Sequence, residues 1–407
     1  MTDTATDTSS GKLSAEEADA FAARCREFLE ANTEYDVTRR DIARARRFQA
    51  ALTEAGLAGL PYAEEYGGAG LTTEHERIYR QVAGNFPAMA NDFVISHGMC
   101  LPVLNEFGTE EQKRRFMPDN ISGTTMWCQM FSEPGAGSDV ASLQTRAVRD
   151  GDEWILNGQK VWTTLAHVSD YGIIIARTDP EQPKHAGISM FILDMKAPGV
   201  EIRPIHQIDG GKHFNEIFFT DVRIPVDHLL GEYNNGWRQA TAMLMYERVA
   251  IGSAGAGKVS QPWYRMLRDV ATAAGRIDDP VVRQQLMEIY SMETTKAMVA
   301  MRTRAEMKAG KAPGPGGSLG KLYGSIIMWR FREIAMEIAG PTSMAWGSDT
   351  DGGALQTQVV GSFSSSIAGG TDEIQRNIIG DRVLGLPRDI SVDTGVPFKD
   401  LKVGTTR

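Results

Sequence analysis

The order of textures along the 407 residues predicts an α+β protein, with a helical segment, then a run of short strands, then a helical bundle. In the first and last parts apolar residues recur at steps of three and four, as Phe21, Cys25, Phe28 and Leu29 do. In the middle the period falls to two and turn dipeptides appear, Asp150-Gly151 and Asn157-Gly158 among them. Strands segregated from helices argue against a doubly wound sheet. No Gly-x-Gly-x-x-Gly stands between a strand and a helix, so a Rossmann nucleotide site is not expected.

The helical pattern runs from Ser14 to about Thr125 and is punctuated by Tyr66-Gly67-Gly68-Ala69-Gly70. Strands are expected around the Asn157-Gly158 turn, at Ile173-Ile174-Ile175, from Met190 to Leu193 and from Glu216 to Phe219. From Gly236 long helices return, with breaks at Asp278-Asp279-Pro280, at Pro313 to Gly317 and near Gly340-Pro341. The expected domains are therefore 12–125 (α), 126–232 (β) and 233–390 (α bundle), with 391–407 as a tail that docks or frays.

Composition narrows the function classes. Hydrophobic residues make up 42% and charged residues 23%, ordinary for a globular chain able to bury large cores. Forty-three basic against 52 acidic residues give a net charge of -9, which argues against nucleic acid as a partner. No apolar run is long enough for a bilayer. Met1 to Gly11 reads as a disordered tail of a cytoplasmic protein rather than a leader. Cys25, Cys100 and Cys128 have neither metal-ligand spacing nor an even disulfide count. They read as buried small hydrophobes, and no metal site is expected.

Four segments can carry chemistry. On the helix after Gly236, Trp237, Ala240, Leu244, Ile251 and Ala254 form an apolar stripe, and Glu247 stands on it. Burial raises a carboxyl pKa, which suits a general base; a structural ion pair is the alternative. Ser132-Glu133-Pro134-Gly135-Ala136-Gly137-Ser138-Asp139 is a glycine-rich loop whose backbone can approach a phosphate, or a plain turn. Trp162-Thr163-Thr164 closes a strand. Its indole can stack on a flat ring and a hydroxyl can bond a ring nitrogen, or the tryptophan can be core. In Ser364 to Arg376, Thr371 is a good N-cap after Gly369-Gly370, which serves a ligand or merely a helix.

Together, Met130 to Asp139, Leu156 to Thr164 and Gly370 to Asn377 resemble the acyl-CoA dehydrogenase family, in order and in spacing, over nearly the whole chain. The resemblance implies that family's fold: an N-terminal α-helical domain, a middle β domain and a C-terminal four-helix bundle. It implies FAD as cofactor, with Gln129, Met130, Phe131, Ser132, Gly137, Ser138, Trp162, Thr163 and Thr164 along the flavin and Thr371 and Glu373 near its phosphates and adenosine. Ser138, Tyr246, Arg248, Gly369 and Gly370 would meet the acyl-CoA. The activity implied is α,β-dehydrogenation of an acyl-CoA thioester to a trans-2-enoyl-CoA in lipid and fatty acid metabolism. Electrons would pass to an electron-transfer flavoprotein, and the assembly would be a homotetramer.

Two departures sharpen this. Many members carry the base just before the Gly-Thr pair, where this chain has Gly369; a minority, resembling isovaleryl- and long-chain acyl-CoA dehydrogenases, carries it on the first bundle helix before an arginine, here Glu247-Arg248. The common Arg-x-x-Phe-Gly stretch is replaced by Ala271-Thr272-Ala273-Ala274-Gly275-Arg276, and a glutamine near the adenosine by Glu337. These changes resemble actinobacterial-type branches, some of them heteromeric. The rival readings are a heterotetramer in which this chain is a flavin-poor partner subunit, and a flavin oxidase or monooxygenase on the same scaffold.

Overall fold

The computed structural model describes residues 13–35, 40–252, 261–308, 316–344, 353–387, 390 and 393–401. The chain divides into two compact units. The first holds residues 1–205, 212–250 and 393–407; the second holds 206–211 and 251–392. The expected N-terminal tail at 1–11 lies outside the described residues.

The first unit opens with helices α1 (Ala15–Asn32), α2 (Ile42–Glu54), α3 (Thr73–Ala83), α4 (Leu101–Phe107) and α5 (Glu110–Ile121). Their starts are chemically marked. Ser14 and Thr109 each accept from the N3 amide while Glu17 and Gln112 reach back, two capping boxes each worth roughly 1 kcal/mol. Phe21, Cys25 and Leu29 on α1 are buried, so the apolar face expected there is the packed one. All three cysteines are buried and free. Burial pushes their thiols up, Cys25 to about 11 and Cys128 to about 12, which keeps them unreactive.

Eight strands follow: β1 (Trp127–Met130), β2 (Arg146–Asp150), β3 (Glu153–Thr164), β4 (Tyr171–Arg177), β5 (Ile188–Asp194), β6 (Val200–Pro204), β7 (Phe214–Pro225) and β8 (Leu229–Leu230). They form one sheet in the order β6-β7-β3-β2-β4-β5-β8, with β1 paired in parallel to β4. The Ile173-Ile174-Ile175 run is continuous because β4 is buried on both faces. Ile173 and Ile175 join the core shared with the helices, while Ile174 joins the core on the sheet's other side.

One expectation is corrected here. Asn157-Gly158 is not a hairpin turn; it lies inside the 12-residue β3. The register with β7 shifts between Leu156 and Gly158, where Thr220 and Asp221 of β7 stand opposite Asn157 alone, a β-bulge on the partner strand. Gly158 has φ +147, and a Cβ there would stand 2.7 Å from Thr145 Cα. The Asn157 amide donates to Asp221 Oδ1 (3.0 Å) while its carbonyl accepts from the Asp221 backbone N–H (2.9 Å). Strand partners on both sides, invisible in a dipeptide, thus override the local turn preference. β7 also exceeds the expected strand at Glu216 to Phe219.

Helix α6 (Gly236–Gly252) belongs to the first unit as far as Ala250. The tail docks on this unit: Phe398 is buried under the Arg177 guanidinium, 3.7 Å from its ring centroid.

The second unit contains α7 (Pro262–Ala273), α8 (Pro280–Lys308), α9 (Gly316–Ala339), α10 (Gly353–Gly361) and α11 (Asp372–Ile378). Its core unites Leu267 and Ala271 with Val282, Leu286 and Ile289 and with Phe331, Ile334, Ala335 and Ile338. The break at Asp278 to Pro280 falls as expected, with Pro280 opening α8. Part of the expected break at Pro313 to Gly317 lies outside the described residues. No described helix is long and apolar enough to cross a membrane.

Candidate functional site

Within the first unit the loop after β1 is anchored by a buried ion pair. Glu133 Oε1 accepts from Lys160 Nζ at 2.8 Å and from the Thr145 N–H at 3.0 Å, and Oε2 accepts from the Gln144 N–H at 2.7 Å. Lys160 also donates to the Phe131 carbonyl (2.9 Å). Burial works against both charges, yet at Glu133 it is outweighed by the Lys160 charge and the Gln144 N–H, so the carboxylate sits below its ordinary range. Burial holds the Lys160 ammonium below its own usual value. Glu133 and Ala136 exchange two 3.0 Å backbone bonds, which closes a tight turn and leaves Gly137 and Ser138 exposed at its tip. Among the described residues, a Cβ at Gly137 would meet nothing within 4 Å.

Close by in sequence, β3 ends in a second irregularity. The register with β7 shifts between Lys160 and Thr163, and Trp162 adopts φ +61, strained for a bulky residue. The consequence is an indole 57% exposed, edge-on to Phe214 at 6.0 Å between centroids. It is a presented ring, not the core tryptophan of the alternative reading. Next to it Thr163 is buried, and its Oγ1 has no hydrogen-bond partner among the described residues. Thr164 is half-buried. Gln129 and Ser132 are half-buried, whereas Met130 and Phe131 are buried. Met130 lies in the core on one side of the sheet and Phe131 in the core on the other, so their side chains are not presented to a ligand.

On α6, Ala240 and Met243 are buried in the core shared with the N-terminal helices, with Trp237, Leu244 and Tyr246 packed against it. Glu247 is half-buried one turn further along the same face, and the Gln129 amide lies 3.5 Å from its Oε2. The side chains of Arg248 and Ile251, and Ala254 altogether, lie outside the described residues. Tyr246 donates to Glu106 Oε2 at 2.8 Å; burial and that carboxylate push its hydroxyl up to about 12.

In the second unit, Gly369 and Gly370 take φ +68 and +85 ahead of α11. Thr371 caps that helix, its hydroxyl accepting from the Ile374 N–H at 3.3 Å, and Gln375 Nε2 donates to the Gly369 carbonyl at 2.9 Å. Glu373 is exposed, 3.4 Å from Arg376. A Cβ at Gly369 would meet open space.

The sequence reading named the glycine loop and Trp162 to Thr164 but missed the pair beneath them. The signal was present: Trp154, Leu156 and Lys160 share one register of β3, which places a lysine in a buried column. The Gln129–Glu247 contact was also missed, since Gln129 alternates with Trp127 and Phe131 on the face turned toward the helices.

Comparison with known proteins accounts for this arrangement. The family models described as Acyl-CoA dehydrogenase N-terminal domain, middle domain and C-terminal domain match residues 15–124, 128–222 and 234–384. The chain is 39% identical over 340 residues to the acyl-CoA dehydrogenase IpdE1 of Mycobacterium tuberculosis (strain ATCC 25618 / H37Rv), covering 83% of this chain and 87% of that one. It is similar to the solved Tcur3481-Tcur3483 steroid ACAD, with a TM-score of 0.77 and 27% identity, over 93% of this chain and 99% of that one. It is also similar to the ChsE4-ChsE5 complex from Mycobacterium tuberculosis, with a TM-score of 0.74 and 29% identity over the same shares. The chain belongs to the acyl-CoA dehydrogenase family. Its fold is the family's helical, β-sheet and helical order, and its activity is that of an acyl-CoA dehydrogenase, an oxidoreductase.

The family is typically FAD-dependent, and the residues of the first unit fit that cofactor. Among the described residues, Thr163 Oγ1 is a buried polar atom with no hydrogen-bond partner, Trp162 is a strained and presented ring, and a Cβ at Gly137 would meet nothing within 4 Å.

Proposed function

We propose that Glu247 is the base that removes the α-proton of the acyl-CoA, giving a trans-2-enoyl-CoA. The observation that carries this is a carboxylate on the apolar face of α6, met by one amide from β1, in a chain with glycine at the family's other base position. A carboxylate there is half-buried and hydrogen-bonded, a setting in which a positioned base can act. Gln129, Ser132, Gly137, Ser138, Trp162, Thr163 and Thr164, with the backbones of Met130 and Phe131, are proposed to hold the flavin. Thr371 and Glu373 are proposed to hold the rest of FAD. When bound, FAD supplies the acceptor for the β-hydride. The chain's own work is to orient the thioester, exclude water and hold the departing proton on Glu247.

The proposed substrate is an acyl-CoA with a bulky polycyclic acyl group, supported by likeness to a steroid ACAD. A related subunit is proposed as partner, supported by the ChsE4-ChsE5 complex, and an electron-transfer flavoprotein as electron acceptor. Glu247→Gln, nearly isosteric, should keep fold and flavin spectrum while dye-coupled turnover falls by about two to four orders of magnitude. The rates should be read on a short straight-chain and a polycyclic acyl-CoA. Near-native turnover of the variant on both would overturn the assignment. Purification without a partner, giving yellow or colourless protein, tests the heteromer.

A further inference from the structure

β1 carries a side chain that its surroundings do not explain. Trp127 and Phe131 point into the core shared by the helices and the sheet, and Cys128 and Met130 into the core on the opposite side. Alternation puts Gln129 on the Trp127 face, where an apolar residue would be the ordinary occupant. Its register partner on β4 is Ile173, itself fully buried. A primary amide among such neighbours costs free energy unless its polar atoms find partners. The polar group it meets is the Glu247 carboxylate, 118 residues away in sequence, at 3.5 Å.

We propose that Gln129 is the positioning residue of the base: its amide holds Glu247 Oε2 and so fixes the rotamer in which the carboxylate faces the α-proton. This rests on the reading of Glu247 as the base. Gln129 donates only from its nitrogen, so it favours the ionised, proton-accepting form. The separation is at the outer edge of hydrogen bonding, and catalytic contacts of this kind tighten once substrate is in place. A strand is a good platform for the task, because β1 is held along its length by β4. Glu106 on α4 is engaged by Tyr246, Tyr62 in the loop after α2 has its hydroxyl raised chiefly by burial, and Arg238 near the start of α6 stacks over Phe107.

The test compares kcat/KM against pH for the FAD-loaded enzyme, with its partner subunit if one copurifies, and for Gln129→Met, Gln129→Glu and Glu247→Gln. Met conserves length and removes the donor. Without the donor the ionised base loses support, so the acidic limb should move up by about one pH unit. kcat near neutrality should fall roughly 3- to 10-fold, with KM changed little. Gln129→Glu sets two carboxylates together and should move the limb further in the same direction. An acidic limb for Gln129→Met that superimposes on the native one would overturn the proposal. Full activity of Glu247→Gln would instead overturn the base reading beneath it. If Gln129→Met does not fold, Gln129→Asn, one methylene shorter, makes the same comparison, with a smaller upward shift expected and an unmoved limb again decisive against the proposal.

Discussion

Lys160 shows how much one side chain can carry. It is fully buried in β3 and spends its ammonium on Glu133 and the Phe131 carbonyl, holding the start of the loop that presents Gly137 and Ser138, while Glu133 in turn holds the backbone at Gln144 and Thr145 beyond it. A buried pair is a weak source of net stability, because desolvation cancels much of the attraction. Removing one partner is a different matter, since the other stays behind as an uncompensated charge. Lys160→Met should therefore lower the free energy of unfolding by about 3–5 kcal/mol in urea titrations. Glu133→Gln with Lys160→Met together should recover part of that loss. A single-variant cost below about 1 kcal/mol would mean that the pair does not organise the loop.

At the scale of elements, the register between β3 and β7 shifts twice, for two purposes. The register shift beside Gly158 is structural, because the glycine backbone lies against Thr145 with no room for a Cβ. The shift before Thr163 is presentational, since it turns Trp162 outward into a strained conformation. The two glycines Gly158 and Gly137 should therefore behave oppositely. Gly158→Ala meets Thr145 and an unfavourable φ, and should lower stability by about 1–3 kcal/mol. Gly137→Ala meets nothing within 4 Å and should leave the melting temperature unchanged while weakening FAD binding to the apoprotein, measured by flavin fluorescence. Equal stability losses in both, or native flavin affinity in Gly137→Ala, would reverse these assignments.

Across the first unit as a whole, Asp170 is the polar joint between helices and sheet. It accepts from Arg46 on α2 (2.9 Å), from Lys196 beyond β5 (2.9 Å) and from the Met126 N–H ahead of β1 (3.1 Å). Burial alone would raise its pKa; the bonds to Lys196, to the Met126 N–H and to Arg46 outweigh it, so the folded value lies below the ordinary 3.8. A depressed carboxyl pKa stabilises the fold above the unfolded value and is lost as pH falls through the folded one. Asp170→Asn should accordingly melt lower than the native protein at pH 7, with the gap narrowing as the pH falls below the ordinary carboxyl value of 3.8. A gap independent of pH in thermal unfolding followed by circular dichroism would exclude this role.

By itself the amino-acid order determined the α+β class, the breaks at Asp278 to Pro280, the exposed glycine loop and the apolar stripe with Glu247 on it. All of these depend on periodicity or on local backbone chemistry, which neighbours in sequence supply. Tertiary structure alone decided that Asn157-Gly158 lies inside a strand, opposite a bulge of β7, because Thr145 and Asp221 reach it from elsewhere in the chain. It also decided which of Trp162 and Met130 is presented and which is buried, since a register shift of β3 against β7 sets the first and the core behind β1 the second. The partners of Lys160 and Gln129, 27 and 118 residues away, belong to the same class. Burial compels a polar group to find a partner, but only the packed chain determines which one is within reach.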